Sequence, residues 1–268
     1  MNSQLKLLHE LCLKLDPNEI KVRLIALCDA FLGCKYGPWQ DGTSLESIDD
    51  FKYELDKLDC VTYPEVVLAL AKVKPVVDID AFISNFEAIL AKLHYANGIT
   101  NFKSRNHFVC LDWIPNNKYM VEDITCALSS DTKIATALID KANWMRHTKN
   151  FILENTPIVQ ASVPYIETDY LLEKYNNFIT QFPEYCIVNI VRPNWDLTAK
   201  IGTHLNISHL GLAFKNSQSN DIDFYHSTSE RMQVVKETLQ IYMQRFKDSP
   251  TIRGINVLAI SPGYANAW

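Results

Sequence analysis

A chain of 268 residues with 47% hydrophobic content can bury one large core or two modest ones, and the expected organisation is a single domain over 1–268. The formal charge of -5 and the scattered lysines leave no basic face for phosphates, so no nucleic-acid partner is expected. The apolar runs are too short to span a bilayer. The opening MNSQLKLLHELCLKLDPNEI mixes Glu10, Lys14 and Asp16 into its apolar residues, so neither a membrane span nor an export signal is expected in the chain as given.

Asp16 and Pro17 before NEIKVRLIALCDAFLG predict a helix capped by Asp16, with Pro17 at its first position and Gly33 at its end. CKYGPWQDGT then reads as a loop. In LDCVTYPEVVLALAKV, Pro64 is tolerated only in a first turn, which starts the next helix close to Cys60. DIDAFISNFEAILAKLHY spaces Ile79, Phe82, Ile83, Phe86, Ile89, Leu90 and Leu93 along one buried helical face. NHFVCLDWI reads as extended, and 133–153 leans helical. TDYLLEKYNNFITQF reads as a further capped helix. YCIVNIVR, NISHLGLAF, DIDFYHS and GINVLAI have strand character. SERMQVVKETLQIYMQRF, 229–246, reads as one long helix whose Met232, Val235, Leu239, Tyr242 and Met243 form a buried stripe. The tail ISPGYANAW carries Tyr264 and Trp268. Helices first and strands second predict an α+β fold.

The seven cysteines are Cys12, Cys28, Cys34, Cys60, Cys110, Cys126 and Cys186. They form no CxxC pair and no His-Cys cluster at zinc spacing, so neither a disulfide framework nor a structural metal is expected. Cys60 differs from the others in standing at a helix start, where unpaired N–H groups and the helix dipole favour a thiolate. The same N–H groups can hold the oxyanion of a tetrahedral intermediate. Asp59 beside it reads as a cap, because a carboxylate there opposes thiolate formation; Glu65 reads as an acidic side chain suited to the dipole. Strand alternation puts Ile207, His209, Gly211 and Ala213 on one face, with small residues beside His209. His226 closes the next strand, and a hairpin brings the two imidazoles together. A thiol, a base and a polar group that orients the base follow the logic of a nucleophilic triad. His9 and His94 read as solvated or satisfied edge residues.

A helix-start cysteine, then a strand histidine, then a polar residue on the following strand is the chain order of NlpC-type papain-like cysteine amidases and endopeptidases, which this sequence resembles. The closer likeness is to a branch first classed as of unknown function and regarded as N-acetylmuramoyl-L-alanine amidases. FLGCKY, DCVTYPEVVLALA, SRNHFVCLDW, SHLGLAF, YHST and GINVLAI carry it across nearly the whole chain. The sequence departs from that pattern at Lys35, at Tyr63 and in YHST, which leaves specificity more open than reaction class.

The resemblance implies an NlpC-type papain-like fold, with helices packed on an antiparallel sheet, and neither cofactor nor metal. It makes Cys60 the nucleophile, His209 the general base and His226 the orienting residue, and puts Tyr36 beside the nucleophile to contact substrate or shape the oxyanion site. Because SRNHFVCLDWI borders the cleft in that family, Arg105, Asp112 and Trp113 become candidate substrate contacts. Arg105 suits a carboxylate and Trp113 a sugar or peptide face. The implied partners are peptidoglycan fragments, cut between N-acetylmuramic acid and L-alanine, and the implied setting is the bacterial periplasm or envelope. Cleavage between D-glutamate and the diamino acid, acyl transfer, and binding of murein without turnover remain alternatives.

Overall fold

The computed structural model describes residues 3–39, 45–46 and 51–261; the loop positions 40–43 and the tail with Tyr264 and Trp268 lie outside the described residues. Its strands are β1 (Lys35–Tyr36), β2 (Lys57–Leu58), β3 (Val121–Asp123), β4 (Lys133–Ile139), β5 (Val159–Glu167), β6 (Tyr185–Asp196), β7 (His204–Asn216), β8 (Asp221–Thr228), β9 (Gln233–Thr238) and β10 (Gly254–Ile260). They form one largely antiparallel sheet in the order β2-β1-β9-β8-β7-β6-β10-β5-β4, with β3 also paired to β10. The register runs Val188↔Gly211 between β6 and β7, Leu212↔Tyr225 between β7 and β8, and His226↔Val235 between β8 and β9.

The central strands are apolar on both faces because both faces are covered. On one side Ile187, Leu210, Leu212 and Leu258 pack beneath the helices Ser3–Lys14, Ile20–Ala30, Thr62–Lys72 and Ile79–His94. On the other, Val188, Ile190, Ala213, Phe224 and Val257 pack beneath Thr168–Glu173, Tyr175–Gln181 and Leu239–Arg245. Thr62–Lys72 is buried along its whole length, including Glu65 and Lys72 among its apolar residues. Each of its fully buried Val and Leu side chains contributes about 1.5–3 kcal/mol of transfer free energy.

That helix is held at its far end by Arg23, which is fully buried. The guanidinium donates to the carbonyls of Leu70, Ala71 and Val73, and to those of Cys12 and Leu15 at the end of the first helix. Helix C-terminal carbonyls lack intrahelical donors, and this side chain supplies them.

Several segments depart from the sequence expectations. The Asp16 carboxylate accepts from the Asn18 amide at 2.8 Å and closes a short turn, so the helix starts at Ile20 rather than at Pro17. NHFVCLDWI is not extended: Val109–Trp113 forms a π-helical turn, fastened where the Phe108 amide donates to the Asp112 carboxylate at 3.1 Å. The 133–153 segment is β4 followed by the helix Lys141–Lys149. Ala135, Ala137 and Ile139 are buried at a period of two, and sheet pairing overrides the helix propensity of alanine. In 229–246 the long helix is replaced by β9 and the short helix Leu239–Arg245, which Thr238 caps by accepting from the Ile241 amide. Met232, assigned to the buried stripe, is 60% exposed with φ 54.

Candidate active site

Cys60 sits in the turn between β2 and Thr62–Lys72. Asp59 fastens that turn: its carboxylate accepts from the amides of Val61 (2.9 Å) and Thr62 (2.8 Å), while its own amide donates to the Thr62 hydroxyl at 2.8 Å. This is a reciprocal cap. It also alters the electrostatics expected of a helix start, because two of the amides that favour a thiolate are already engaged by a carboxylate. Burial and the adjacent Asp59 charge push the Cys60 thiol up to about 12, against hydrogen bonds from the Leu210 amide and from the amide of Cys60 itself. The resting group is a neutral thiol.

Substituting Asp59→Asn keeps an oxygen acceptor in the cap and removes the charge. The pH profile of iodoacetamide modification at Cys60, followed by peptide mass spectrometry, is expected to move to lower pH with stability nearly unchanged. Asp59→Ala should cost about 1 kcal/mol from the lost cap. An unmoved profile in Asp59→Asn would show that the carboxylate does not set the thiol.

His209 is carried by β7 next to an irregularity: Ile190 pairs with His209 and Val191 with Ile207, leaving Ser208 as an extra residue. The strict alternation expected from Ile207 to Ala213 is therefore broken at Ser208, and re-aiming a side chain is a common use of such a bulge. His209 Nε2 lies 2.8 Å from His226 Nδ1, and His226 Nε2 lies 3.1 Å from Glu237 Oε1. Arg245 donates to both oxygens of Glu237, at 2.8 and 2.9 Å. Gly211 makes the approach of the strands possible, since a Cβ there would stand 2.5 Å from the Tyr225 carbonyl and 2.8 Å from His226 Cβ. The neighbouring Ser227 hydroxyl donates to the Leu58 carbonyl at 2.6 Å, tying β8 to the strand that leads into Cys60.

Burial, followed by the charges of His226 and Arg192, lowers His209 to about 3, with Glu237 acting in the opposite sense. His226 is also lowered, chiefly by burial. Burial alone would raise Glu237, but its hydrogen bonds with His226 and Arg245 outweigh that and hold it at about 2. Glu237 is thus an ionised acceptor and both imidazoles are neutral. His226 must then donate from Nε2 to Glu237 and accept at Nδ1 from His209 Nε2–H. The nitrogen of His209 left with a lone pair is Nδ1.

Cys60 and His209 line one cavity of about 230 Å³ together with Tyr36, Arg192, Trp195, Ser208, Glu230 and Tyr242. Tyr36 comes from β1 and hydrogen-bonds with Ser229. The Tyr242 ring stacks on His209 at 6.0 Å. A second cavity of about 360 Å³ is lined by Lys72, Lys74 and Lys92, with neither Cys60 nor His209 on its walls.

Arg105, Asp112 and Trp113 do not line the Cys60 cavity. Trp113 is 1% exposed and donates to Glu65 Oε1 at 2.7 Å. Asp112 pairs with Lys141 besides fastening its own turn. Arg105 lies in the 95–107 loop, bridging Tyr95. Glu65 is not an exposed dipole residue: it is buried and also pairs with His94 at 2.6 Å. His94 and His9 are buried as well, the latter against the Val76 carbonyl. Among the described residues no group of three His, Cys, Asp or Glu side chains is placed to hold a metal ion, and no helix is long and apolar enough to cross a membrane.

Glu237, Arg245, Arg192 and Trp195 were absent from the sequence candidates. The signal for Glu237 was obscured by reading β9 as helix, and that for Arg192 and Trp195 by ending the strand YCIVNIVR at Arg192, short of the pairing that resumes at Trp195.

The chain belongs to the AmiA-like family, described as N-acetylmuramoyl-L-alanine amidase-like, whose model matches residues 26–252. No curated protein matches it by sequence. Among solved structures, a Legionella pneumophila protein of family DUF1460 is 29% identical with a TM-score of 0.81, over 96% of this chain and 93% of that one. An N-acetylmuramoyl-L-alanine amidase from Bacteroides uniformis shares the fold at 22% identity and a TM-score of 0.63, over 91% of this chain and 99% of that one. A Bacteroides fragilis protein described as a xylanase does so at 23% and 0.62, over 88% and 100%.

Proposed function

We propose that the chain is a cysteine-dependent amidase of NlpC-type papain-like architecture, working as one catalytic unit that cleaves the bond between N-acetylmuramic acid and L-alanine in peptidoglycan fragments. The observation that carries this reading is the shared cavity of Cys60 and His209, with His209 held from behind by His226, Glu237 and Arg245. Family membership supports the substrate class.

In the proposed reaction the Cys60 sulfur attacks the lactyl carbonyl carbon as its proton passes to His209 Nδ1. The imidazolium so formed is stabilised through His226 by the Glu237 carboxylate. The amides of Cys60 and Leu210, which already reach the sulfur, are the candidate oxyanion donors, with Tyr36 beside them. The intermediate collapses as the C–N bond breaks, and His209 gives its proton to the leaving L-alanine amine. Water then attacks the thioester with His209 as base; the C–S bond breaks and the thiol regains its proton.

Mass spectrometry of products from defined muropeptides tests the reading. Muramoyl tetrapeptide is expected to yield free sugar and tetrapeptide, while the sugar-free tetrapeptide stays intact. Release of L-Ala-D-Glu from the sugar-free peptide would favour the endopeptidase. Transfer to an added amine would favour the acyltransferase, and folded protein without turnover on either substrate would favour the binding module.

A further inference from the structure

β6 is interrupted where it passes the cavity: Val191 pairs with Ile207 and Trp195 with Leu205, so three residues of β6 stand opposite Asn206 alone. The sequence Arg192-Pro193-Asn194 explains the interruption. Pro193 has no N–H to give the ladder, and Asn194 adopts φ 47, a left-handed conformation that asparagine tolerates better than most residues. The interruption lifts Arg192 out of the regular ladder, pairing resumes at Trp195, and both residues line the Cys60 cavity.

Arg192 is braced on neutral groups. Its Nε donates to the Ser208 hydroxyl at 3.1 Å and its Nη1 to the Thr251 hydroxyl at 2.5 Å, while its guanidinium carbon lies 4.3 Å from the centre of the Trp195 ring. Among the described residues no carboxylate pairs with it. Glu230, on the same wall, is engaged with Arg245 at 3.7 Å. A guanidinium has five N–H donors. The two hydroxyls and the indole face fix its plane and leave donors over in a half-buried setting. A preoriented guanidinium with no carboxylate partner among the described residues is built to receive a planar anion.

We propose that Arg192 is the subsite for a substrate carboxylate, and that in a stem peptide this is the α-carboxylate of the D-glutamyl residue. The proposal rests on the amidase reading for the identity of the ligand. The sugar, the lactyl group and L-alanine carry no charge once joined by amides. D-glutamate continues the chain through its γ-carboxyl, so its α-carboxylate is the first anion beyond the scissile bond. Arg192 would thus draw the leaving peptide across the cavity and orient the bond over Cys60. Arg192 would take the carboxylate-gripping role that the sequence suggested for Arg105, with Trp195 holding the guanidinium flat.

The test compares N-acetylmuramoyl-L-alanyl-D-glutamate with N-acetylmuramoyl-L-alanyl-D-isoglutamine, which differ only in carboxylate against carboxamide. Binding is measured by calorimetry on the Cys60→Ala protein, and turnover on the native protein. The acid should bind roughly ten- to a hundredfold more tightly than the amide, as expected of a charged hydrogen-bonded pair. Arg192→Met in the Cys60→Ala background should abolish that preference by weakening the acid alone, and Arg192→Lys should restore part of it. Equal binding of acid and amide to Cys60→Ala would overturn the subsite without any need for an Arg192 variant, as would a preference that survives Arg192→Met. Selective acid binding without hydrolysis by the native protein would leave the subsite standing and overturn the amidase reading.

Discussion

Replacing Cys60 by alanine is expected to lower kcat/KM on muramoyl peptides by about 10⁴-fold or more while the protein stays folded, because the proposed covalent step has no other nucleophile. His209→Ala should fall nearly as far, since members of a triad act as a unit. His226→Gln can still accept from His209 and should retain more activity. Glu237→Gln should be milder than His209→Ala, for it keeps an acceptor for His226 and loses only the charge that stabilises the imidazolium. The ordering matters more than any single value: a dead His226→Gln beside an active His209→Ala would reverse the assignment. The acid limb of kcat/KM provides a second readout. With His209 depressed to about 3, the base stays unprotonated through the ordinary histidine range, and activity should fall only well below it. A limb near 6.5, the value of an unperturbed imidazole, would mean that burial does not set this base.

The largest stability effect is expected at Arg23, far from any chemistry. Arg23→Met keeps much of the volume but strands the carbonyls of Leu70, Ala71 and Val73 at the end of the Cys60 helix, in an interior where Arg23 is 0% exposed. Leaving buried acceptors unpaired costs about 1–3 kcal/mol each and the costs do not simply add, so a loss on the order of 4 kcal/mol is expected. Set against a typical stability of about 5–15 kcal/mol, this should show as a large drop in the urea midpoint. Arg23→Lys should be intermediate, because one ammonium cannot reach carbonyls spread over two helix ends. A midpoint within experimental scatter of the parent would mean that water replaces the guanidinium without loss.

The local devices were legible in the chain because they depend on neighbours in sequence. Asp59 reads as a cap from its place before Thr62, and its carboxylate accepts from the Val61 and Thr62 amides at the entrance to that helix. Pro64 restricts where a helix can start, and Thr62–Lys72 respects it. His209 and His226 lie on consecutive strands of one hairpin, and that connection brings the rings together.

What the chain determined by itself was therefore the family pattern, the helix behind Cys60 and the hairpin behind the two histidines, all set by short-range turns, caps and period. Tertiary structure alone decided the rest of the site. Glu237 lies across from Phe224, two residues from the partner of His226, a relation that exists only once β9 is a strand; as a helix, 229–246 would have scattered those side chains. Arg192 enters the cavity through an interruption in β6 whose partner residues lie on β7. Trp113 and Asp112, adjacent in a motif that suggests a cleft, are drawn into Glu65 and Lys141 instead, because a buried carboxylate and an indole N–H each require a partner. Pairings of this kind join residues tens of positions apart, and burial selects among partners that periodicity cannot rank.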